Sequence, residues 1–176
     1  MNAPAVHDFQ ECLARSHAAS DDPVWERIYR QAFPDFSAMV DHRGDGYWQR
    51  QGVDRSVTLN SSKQILVDEK MRERAYDDIL LEYESNNVTG SPGWVRKPLQ
   101  ADYIAYYIKP AHIVYMLPVI QLQGAWTKHG AAWLKKHGTK EAVNDGYKTL
   151  NCPVPVKVLF SAIGQALRIR LREEES

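Results

Sequence analysis

Cysteine is scarce in this chain of 176 residues, which contains only Cys12 and Cys152. Two cysteines that lie so far apart are too few for a disulfide framework, and they show no zinc-site spacing with histidine. We therefore expect both to be reduced thiols in a cytosolic protein.

Long hydrophobic runs are also missing. The longest apolar stretch, residues 104–122, is interrupted by two prolines, a lysine and a histidine, so it cannot form a membrane span. Residues 1–5 lack a basic region and no apolar core follows them, so no signal peptide is expected. These absences predict a cytoplasmic protein with no membrane partner.

A charge of one sign is absent as well, because 22 Lys and Arg residues balance 22 Asp and Glu residues. A strongly basic chain would have favoured nucleic-acid binding. An acidic metal site would cancel basic contact residues in the total, so the local distribution of charge matters more. One basic stretch contains no acid: Lys128, His129, Lys135, Lys136, His137 and Lys140. It is either a solvated helix face or a surface that contacts phosphates.

What is present is the composition of a globular protein, 44% hydrophobic and 25% charged, with a length that suits a single domain over residues 1–176. Apolar periodicity predicts helices over residues 6–18, 23–33, 118–136 and 156–166. Asp21 and Asp22 before Pro23 are typical of a helix start. Alternation and β-rich composition predict strands over residues 53–59, 64–71, 78–83, 102–108 and 113–117. This order favours an α/β (α+β) fold with a mixed central sheet flanked by helices.

The two strands at residues 53–59 and 64–71 are joined by Asn60-Ser61-Ser62, which is turn chemistry. A hairpin with its turn centred on Ser61 places Asp54 directly opposite Asp68. Facing carboxylates repel each other, and a divalent cation such as Mg²⁺ or Mn²⁺ would relieve the repulsion. Lys70 leans from the same strand face as Asp68, where it could assist a water that attacks a phosphodiester.

A second interpretation of the hairpin is a solvated polar face on which Asp68 and Lys70 pair. A slip of one residue would instead place Asp54 opposite Glu69. Lys70 favours Asp68, because the residue two positions beyond Glu69 is Met71.

Val53-Asp54, followed fourteen positions later by Asp68-Glu69-Lys70, resembles the motif of the PD-(D/E)xK nuclease superfamily, with Val53 in place of proline. The resemblance covers about residues 22–120 and is similar in layout to small phage-encoded nucleases and junction resolvases. It implies a restriction-endonuclease-like αβββαβ core and a metal-dependent DNA nuclease. Asp54 and Asp68 would hold Mg²⁺ or Mn²⁺, and Lys70 would assist the attacking water.

In many members of this superfamily the first helix adds another acid. Glu26 is the best match for that catalytic residue, and Glu82 in the predicted strand 78–83 is the alternative. Resolvases usually act as dimers, so a homodimer stays open, although the sequence shows no dimer seam.

Trp94, Arg96 and Lys97 follow a loop at residues 86–93 and could stack a base or contact a phosphate, as could the lysines of the basic stretch. Those lysines are Lys128, Lys135 and Lys136. Trp94 could equally anchor its loop to the core. Two other functions stay open: a catalytically inactive DNA-binding or assembly module of the same fold, and a small inhibitor or regulator protein.

Overall fold

A computed structural model describes residues 23–164 and 166–171. The predicted helix over residues 6–18, Cys12 and the pair Asp21-Asp22 lie outside the described residues. The described chain divides into two compact units. We call residues 23–76, 98–122 and those from 163 onward the six-stranded unit, and residues 77–97 and 123–162 the four-stranded unit. The single domain over residues 1–176 stays a prediction.

The helices of the described residues are α1 (Val24–Ala32), α2 (Gly46–Arg50), α3 (Val119–His137) and α4 (Val156–Ile163), with a 3-10 turn at Lys109–Ala111. The strands are β1 (Phe36–Asp41), β2 (Arg55–Leu59), β3 (Gln64–Arg72), β4 (Asp78–Asn86), β5 (Ser91–Pro92), β6 (Tyr103–Ile108), β7 (Ile113–Pro118), β8 (Lys140–Val143), β9 (Lys148–Pro155) and β10 (Leu167–Arg170). No described helix combines the length and the apolar character needed to cross a membrane.

The six-stranded unit is built on a sheet with the order β1-β2-β3-β6-β7-β10. Its neighbouring strands are antiparallel, except that β3 and β6 run parallel. The sheet is therefore mixed, which confirms the predicted α+β fold with a mixed central sheet.

Helix α1 packs on one face of this sheet because its apolar residues recur at helical spacing. Trp25, Ile28 and Tyr29 are almost fully buried, and they join a core that includes Val67 and Tyr107 from the strands. The Trp25 ring stacks on Tyr29 and meets Tyr107 edge-on. The helix predicted over residues 23–33 is therefore confirmed, and its buried face fixes which side of β3 looks toward it.

The β2–β3 hairpin has the predicted register. Arg55 lies opposite Val67 and Thr58 opposite Gln64, which excludes the slip of one residue. The Leu59 N–H donates to the Lys63 carbonyl at 2.9 Å, and Ser62 adopts a left-handed φ of 65° in the turn. Successive residues of β3 therefore face opposite sides of the sheet, with Val67 toward α1 and Asp68 away from it.

The strand predicted over residues 78–83 is present as β4, but it does not join the sheet of the hairpin, as the αβββαβ core that the resemblance implies would require. It pairs with β5 and β9 in a second sheet with the order β5-β4-β9-β8. Ile79 and Leu81 of β4 face Val154 and Cys152 of β9 across this sheet, and all four are fully buried. The αβββαβ core that the resemblance implies has a helix before its last strand. The chain between β3 and β6 forms the strands β4 and β5 and no helix. The nuclease-type core therefore stays a prediction.

Candidate active site

Asp54 lies just beyond the paired part of the hairpin, which ends with Arg55 opposite Val67, and Asp68 is the next residue of β3. Asp54 lies just before β2, where its N–H donates to the Val67 carbonyl at 2.9 Å and its carbonyl accepts from the His42 N–H at 2.8 Å. The side chains of Asp54 and Asp68 lie within hydrogen-bonding reach of each other. The two carboxyl groups are therefore neighbours, and Asp68 lies on the sheet face opposite α1.

Asp68 is buried, with 4% of its surface exposed. Burial raises the pKa of its carboxyl to about 7, Lys70 opposes this shift, and the neighbouring Asp54 adds to it. Such perturbed groups are enriched at functional sites, although ion-pair networks also produce them.

Lys70 lies on the same face, two residues along β3. Its ammonium pairs with Oδ1 of Asp68 and approaches the Glu69 carbonyl at 3.4 Å, and 32% of its side chain is exposed. The lysine thus connects a buried carboxylate to the surface.

Glu69 points to the opposite face of β3, toward α1. Its Oε1 accepts from the Tyr29 hydroxyl at 2.6 Å and from Nε of Arg55 at 2.7 Å. Burial raises the pKa of the Glu69 carboxyl, and the Arg55 guanidinium opposes that shift. The Glu69 N–H donates to Oδ2 of Asp54 at 2.8 Å, so this buried cluster also orients one of the paired acids.

Asp41, at the end of β1, extends the cluster. Its Oδ2 lies 3.7 Å from the Arg55 guanidinium and also pairs with Arg43. The hydrogen bond from Arg43 lowers the pKa of Asp41 to about 2 against the opposing effect of burial.

The acid predicted from the first helix does not join this site. The Glu26 carboxylate accepts from Nε and Nη2 of Arg30, one turn along, and both side chains are well exposed. From α1, Tyr29 hydrogen-bonds to Glu69 of the hairpin. The alternative acid, Glu82, lies on β4 in the four-stranded unit.

The predicted nucleic-acid contacts fall in the four-stranded unit. Trp94 is only 7% exposed, and its carbonyl accepts from the Gln123 amide at 3.0 Å. This burial fits the alternative that Trp94 anchors its loop to the core, and a role in stacking a base stays a prediction. Arg96 is exposed and Lys97 partly so.

Lys128, Lys135 and Lys136 are exposed on α3. Lys128 and Lys135 are seven residues apart, which places them on one side of the helix. A role for any of them in binding nucleic acid stays a prediction.

Sequence reasoning missed the cluster formed by Tyr29, Arg55 and Glu69. Helical spacing assigns Tyr29 to the apolar stripe of α1, and this assignment does not indicate a partner for the Tyr29 hydroxyl. A buried tyrosine hydroxyl usually finds a hydrogen-bond partner, and this signal pointed to a polar group on the facing strand.

Within the described residues, no group of three or more His, Cys, Asp or Glu side chains is arranged to hold a metal ion. No family model, curated protein or solved structure matches the chain. The class shown is therefore an α+β protein with a mixed central sheet, and its function rests on the geometry of the site.

Proposed function

We propose that the chain is a metal-dependent nuclease that hydrolyses phosphodiester bonds of DNA at Asp54, Asp68 and Lys70. The observation that carries the proposal is the contact between two carboxyl groups, one of them buried with a pKa raised to about 7, beside a single lysine. The resemblance to the PD-(D/E)xK motif supports it, and the composition favours a cytoplasmic location.

The donor set fits a hard divalent cation. Mg²⁺ is commonly held by one or two carboxylates together with water and phosphate oxygens, so Asp54 and Asp68 would suffice as protein ligands. Burial is the main cause of the raised pKa of Asp68, Lys70 opposes the shift, and Asp54 adds to it, so a bound cation would favour the ionised carboxylate. A bound Mg²⁺ or Mn²⁺ would supply Lewis-acid polarisation of the scissile phosphate.

The residues of the chain would divide the remaining work. Asp54 and Asp68 would hold the cation, and the Glu69 N–H keeps the Asp54 carboxylate in place. The Lys70 ammonium reaches the surface beside Asp68, where it would orient the attacking water and offset charge that develops on the phosphate oxygens.

The test is cleavage of supercoiled plasmid, linear duplex and single-stranded DNA with Mg²⁺ or Mn²⁺. Loss of a residue that only supports a metal ligand lowers activity by up to about 100-fold. Asp68 is proposed as a ligand itself, so Asp68→Asn should lower the cleavage rate by more than this. Asp35→Asn, a change of an exposed acid in the same unit, is the matched control and should cleave at the wild-type rate. A folded wild-type protein that cleaves none of these substrates contradicts the proposal.

A readout independent of activity is the melting temperature. Mn²⁺ should raise it in the wild-type chain because a ligand that binds only the native state stabilises that state. The rise should be absent in Asp68→Asn and preserved in Asp35→Asn. Equal shifts in all three proteins would place the cation elsewhere.

The second candidate is a non-catalytic DNA-binding or assembly module, which the zero net charge favours. Binding of DNA without uptake of Mn²⁺ in calorimetry would identify it.

A further inference from the structure

Trp48 differs from the other tryptophans of the chain in its exposure. Trp25, Trp94, Trp126 and Trp133 are all buried, whereas Trp48 is only half-buried on α2. Its neighbour on that helix, Tyr47, is 52% exposed, and α2 contributes no buried residue. Tyr47 therefore lies outside the core, and part of Trp48 stays at the surface.

The rings of His42 and Tyr47 both contact Trp48, and we call this group of three side chains the aromatic platform. The imidazole of His42 stacks on Trp48 with 4.7 Å between ring centroids. Tyr47 meets Trp48 edge-on, with centroids 5.4 Å apart and an interplanar angle of 79°. Tyrosine and tryptophan faces of this kind can stack a nucleobase of any identity.

The segment that carries the platform is held in place at both ends. The Asp45 side chain caps α2 by accepting from the Tyr47 N–H at 2.8 Å. At the other end Gly52 has a φ of +67°, and a Cβ there would lie 2.2 Å from Cδ2 of Leu99, so only glycine fits. Gln100 donates to Gln51 through its N–H and its side chain, each at 2.9 Å. A surface fixed in this way loses little conformational entropy on binding.

The platform adjoins the carboxylate pair. Nε2 of His42 lies 2.9 Å from Oγ of Ser56, which is two residues along the chain from Asp54. The His42 N–H donates to the Asp54 carbonyl, and the Val53 N–H donates to the Trp48 carbonyl at 3.0 Å. A ligand that spans the platform and Asp54 therefore needs a planar aromatic part joined to a group that the acidic site can take.

A nucleotide has both parts. The exposed guanidinium of Arg50 on α2 adds a positive charge suited to a phosphate. We propose that the platform binds an unpaired nucleobase, so that the substrate is single-stranded nucleic acid next to the phosphate held at Asp54 and Asp68. This inference rests on the proposed function for the identity of the adjoining site, although binding itself needs no cleavage.

The experiment is fluorescence anisotropy of a short labelled thymidine oligonucleotide with the full chain in EDTA, where hydrolysis is suppressed. Trp48→Ala and Tyr47→Ala should each weaken binding by about tenfold, as expected for loss of one base–aromatic stack. Trp48→Phe should restore most of the affinity. Tyr76→Ala is the matched control, because Tyr76 is 46% exposed in the same unit and lies under Arg72 instead of the platform.

Unchanged affinity in both platform variants, or no binding of the oligonucleotide by the wild-type chain at low salt, would overturn the inference. Equal losses in Tyr76→Ala would do the same. Cleavage separates this result from the proposed function. Asp68→Asn should lose cleavage with Mn²⁺, whereas Tyr76→Ala should keep both cleavage and affinity for the oligonucleotide. If the chain cleaves DNA but its affinity does not depend on Trp48, the platform inference alone is wrong. If the affinity depends on Trp48 but the chain cleaves nothing, the nuclease proposal alone is wrong.

Discussion

Asp68 and Glu69 are neighbours on β3, and both are buried, yet their surroundings differ. Glu69 faces α1, where its carboxylate accepts from Arg55 and Tyr29. Asp68 faces the other way, where it meets a second acid, Asp54, and shares the partly exposed Lys70. The Glu69 carboxylate is therefore paired with a buried guanidinium, whereas the Asp68 carboxyl lies next to another acid.

This difference separates a structural acid from a candidate functional one. A buried carboxylate with a full set of partners is stable where it is, and it fixes the strands around it. Two neighbouring acids that share one lysine lower the stability of the native state. Such a destabilising arrangement is expected where a bound ligand restores the stability. The comparison therefore predicts opposite effects for mutations on the two faces of β3.

The largest expected effect comes from removing the partner of Glu69. Arg55→Met should lower the free energy of unfolding by about 3–5 kcal/mol, because it leaves a buried carboxylate without its countercharge. Urea unfolding near neutral pH measures the change. The double variant Arg55→Met with Glu69→Leu should recover a large part of the loss. If the double variant is as unstable as the single one, the cost lies in packing and the charge argument fails.

On the opposite face, Asp68→Asn should change the pH dependence of stability in EDTA. Because the pKa of Asp68 is raised to about 7 in the native state from an ordinary 3.8, the unfolded chain ionises first as pH rises. The wild-type chain therefore loses stability as pH rises between these two values, and the loss is complete above the native pKa. The asparagine of the variant cannot ionise, so the variant escapes this loss.

The variant should accordingly gain about 2–3 kcal/mol relative to the wild-type chain between about pH 5 and about pH 8, at 1.36 kcal/mol per unit of pKa shift. Denaturant unfolding at both pH values gives the difference. If the difference in free energy of unfolding between the two proteins is the same at both pH values, Asp68 is ionised in the native state at both. Lys70 would then offset the negative charge of Asp54 as well as that of Asp68.

A smaller loss should follow from Tyr29→Phe. This change removes one hydrogen bond to the Glu69 carboxylate and should cost about 1.5 kcal/mol, the lower end for bonds to charged groups, because Arg55 remains. Trp25 stacking and the burial of the ring are preserved, so the change reports on the hydroxyl alone. A cost near that expected for Arg55→Met would instead make Tyr29 the dominant partner of Glu69.

The β2–β3 hairpin could be predicted from the sequence because strand alternation and a short turn leave few registers. Three of the strands that escaped prediction, β1, β8 and β10, are at sheet edges. The burial of β1 and β8 shows little alternation, and β8 and β10 have only four residues each. The partner of β4 also could not be predicted, because its pairing with β9 joins segments about seventy positions apart.

The candidate site was predictable to the same degree. Asp54, Asp68 and Lys70 follow from the register, whereas the choice between Glu26 and Tyr29 depends on the rotation of α1 about its axis. Tyr29 lies in the apolar stripe and Glu26 lies beside it, three residues away, so periodicity alone could not say which one supplies a polar group to β3. Trp94 and Trp48 pose the same problem, because exposure of an aromatic side chain depends on distant packing.

The smallest expected effect tests that rotation directly. Glu26→Gln removes an exposed pair with Arg30 at the i,i+4 spacing, which is worth about 0.3–0.5 kcal/mol, and the free energy of unfolding should fall by no more than this. Since the Glu26 carboxylate accepts from Arg30 and not from any hairpin group in the described contacts, Mn²⁺ should also stabilise this variant as much as the wild-type chain. A lost response to Mn²⁺ would mean that α1 turns its acid toward Asp54 and Asp68 when the cation binds, and the contrast between the two faces of β3 would then hold only for the cation-free chain.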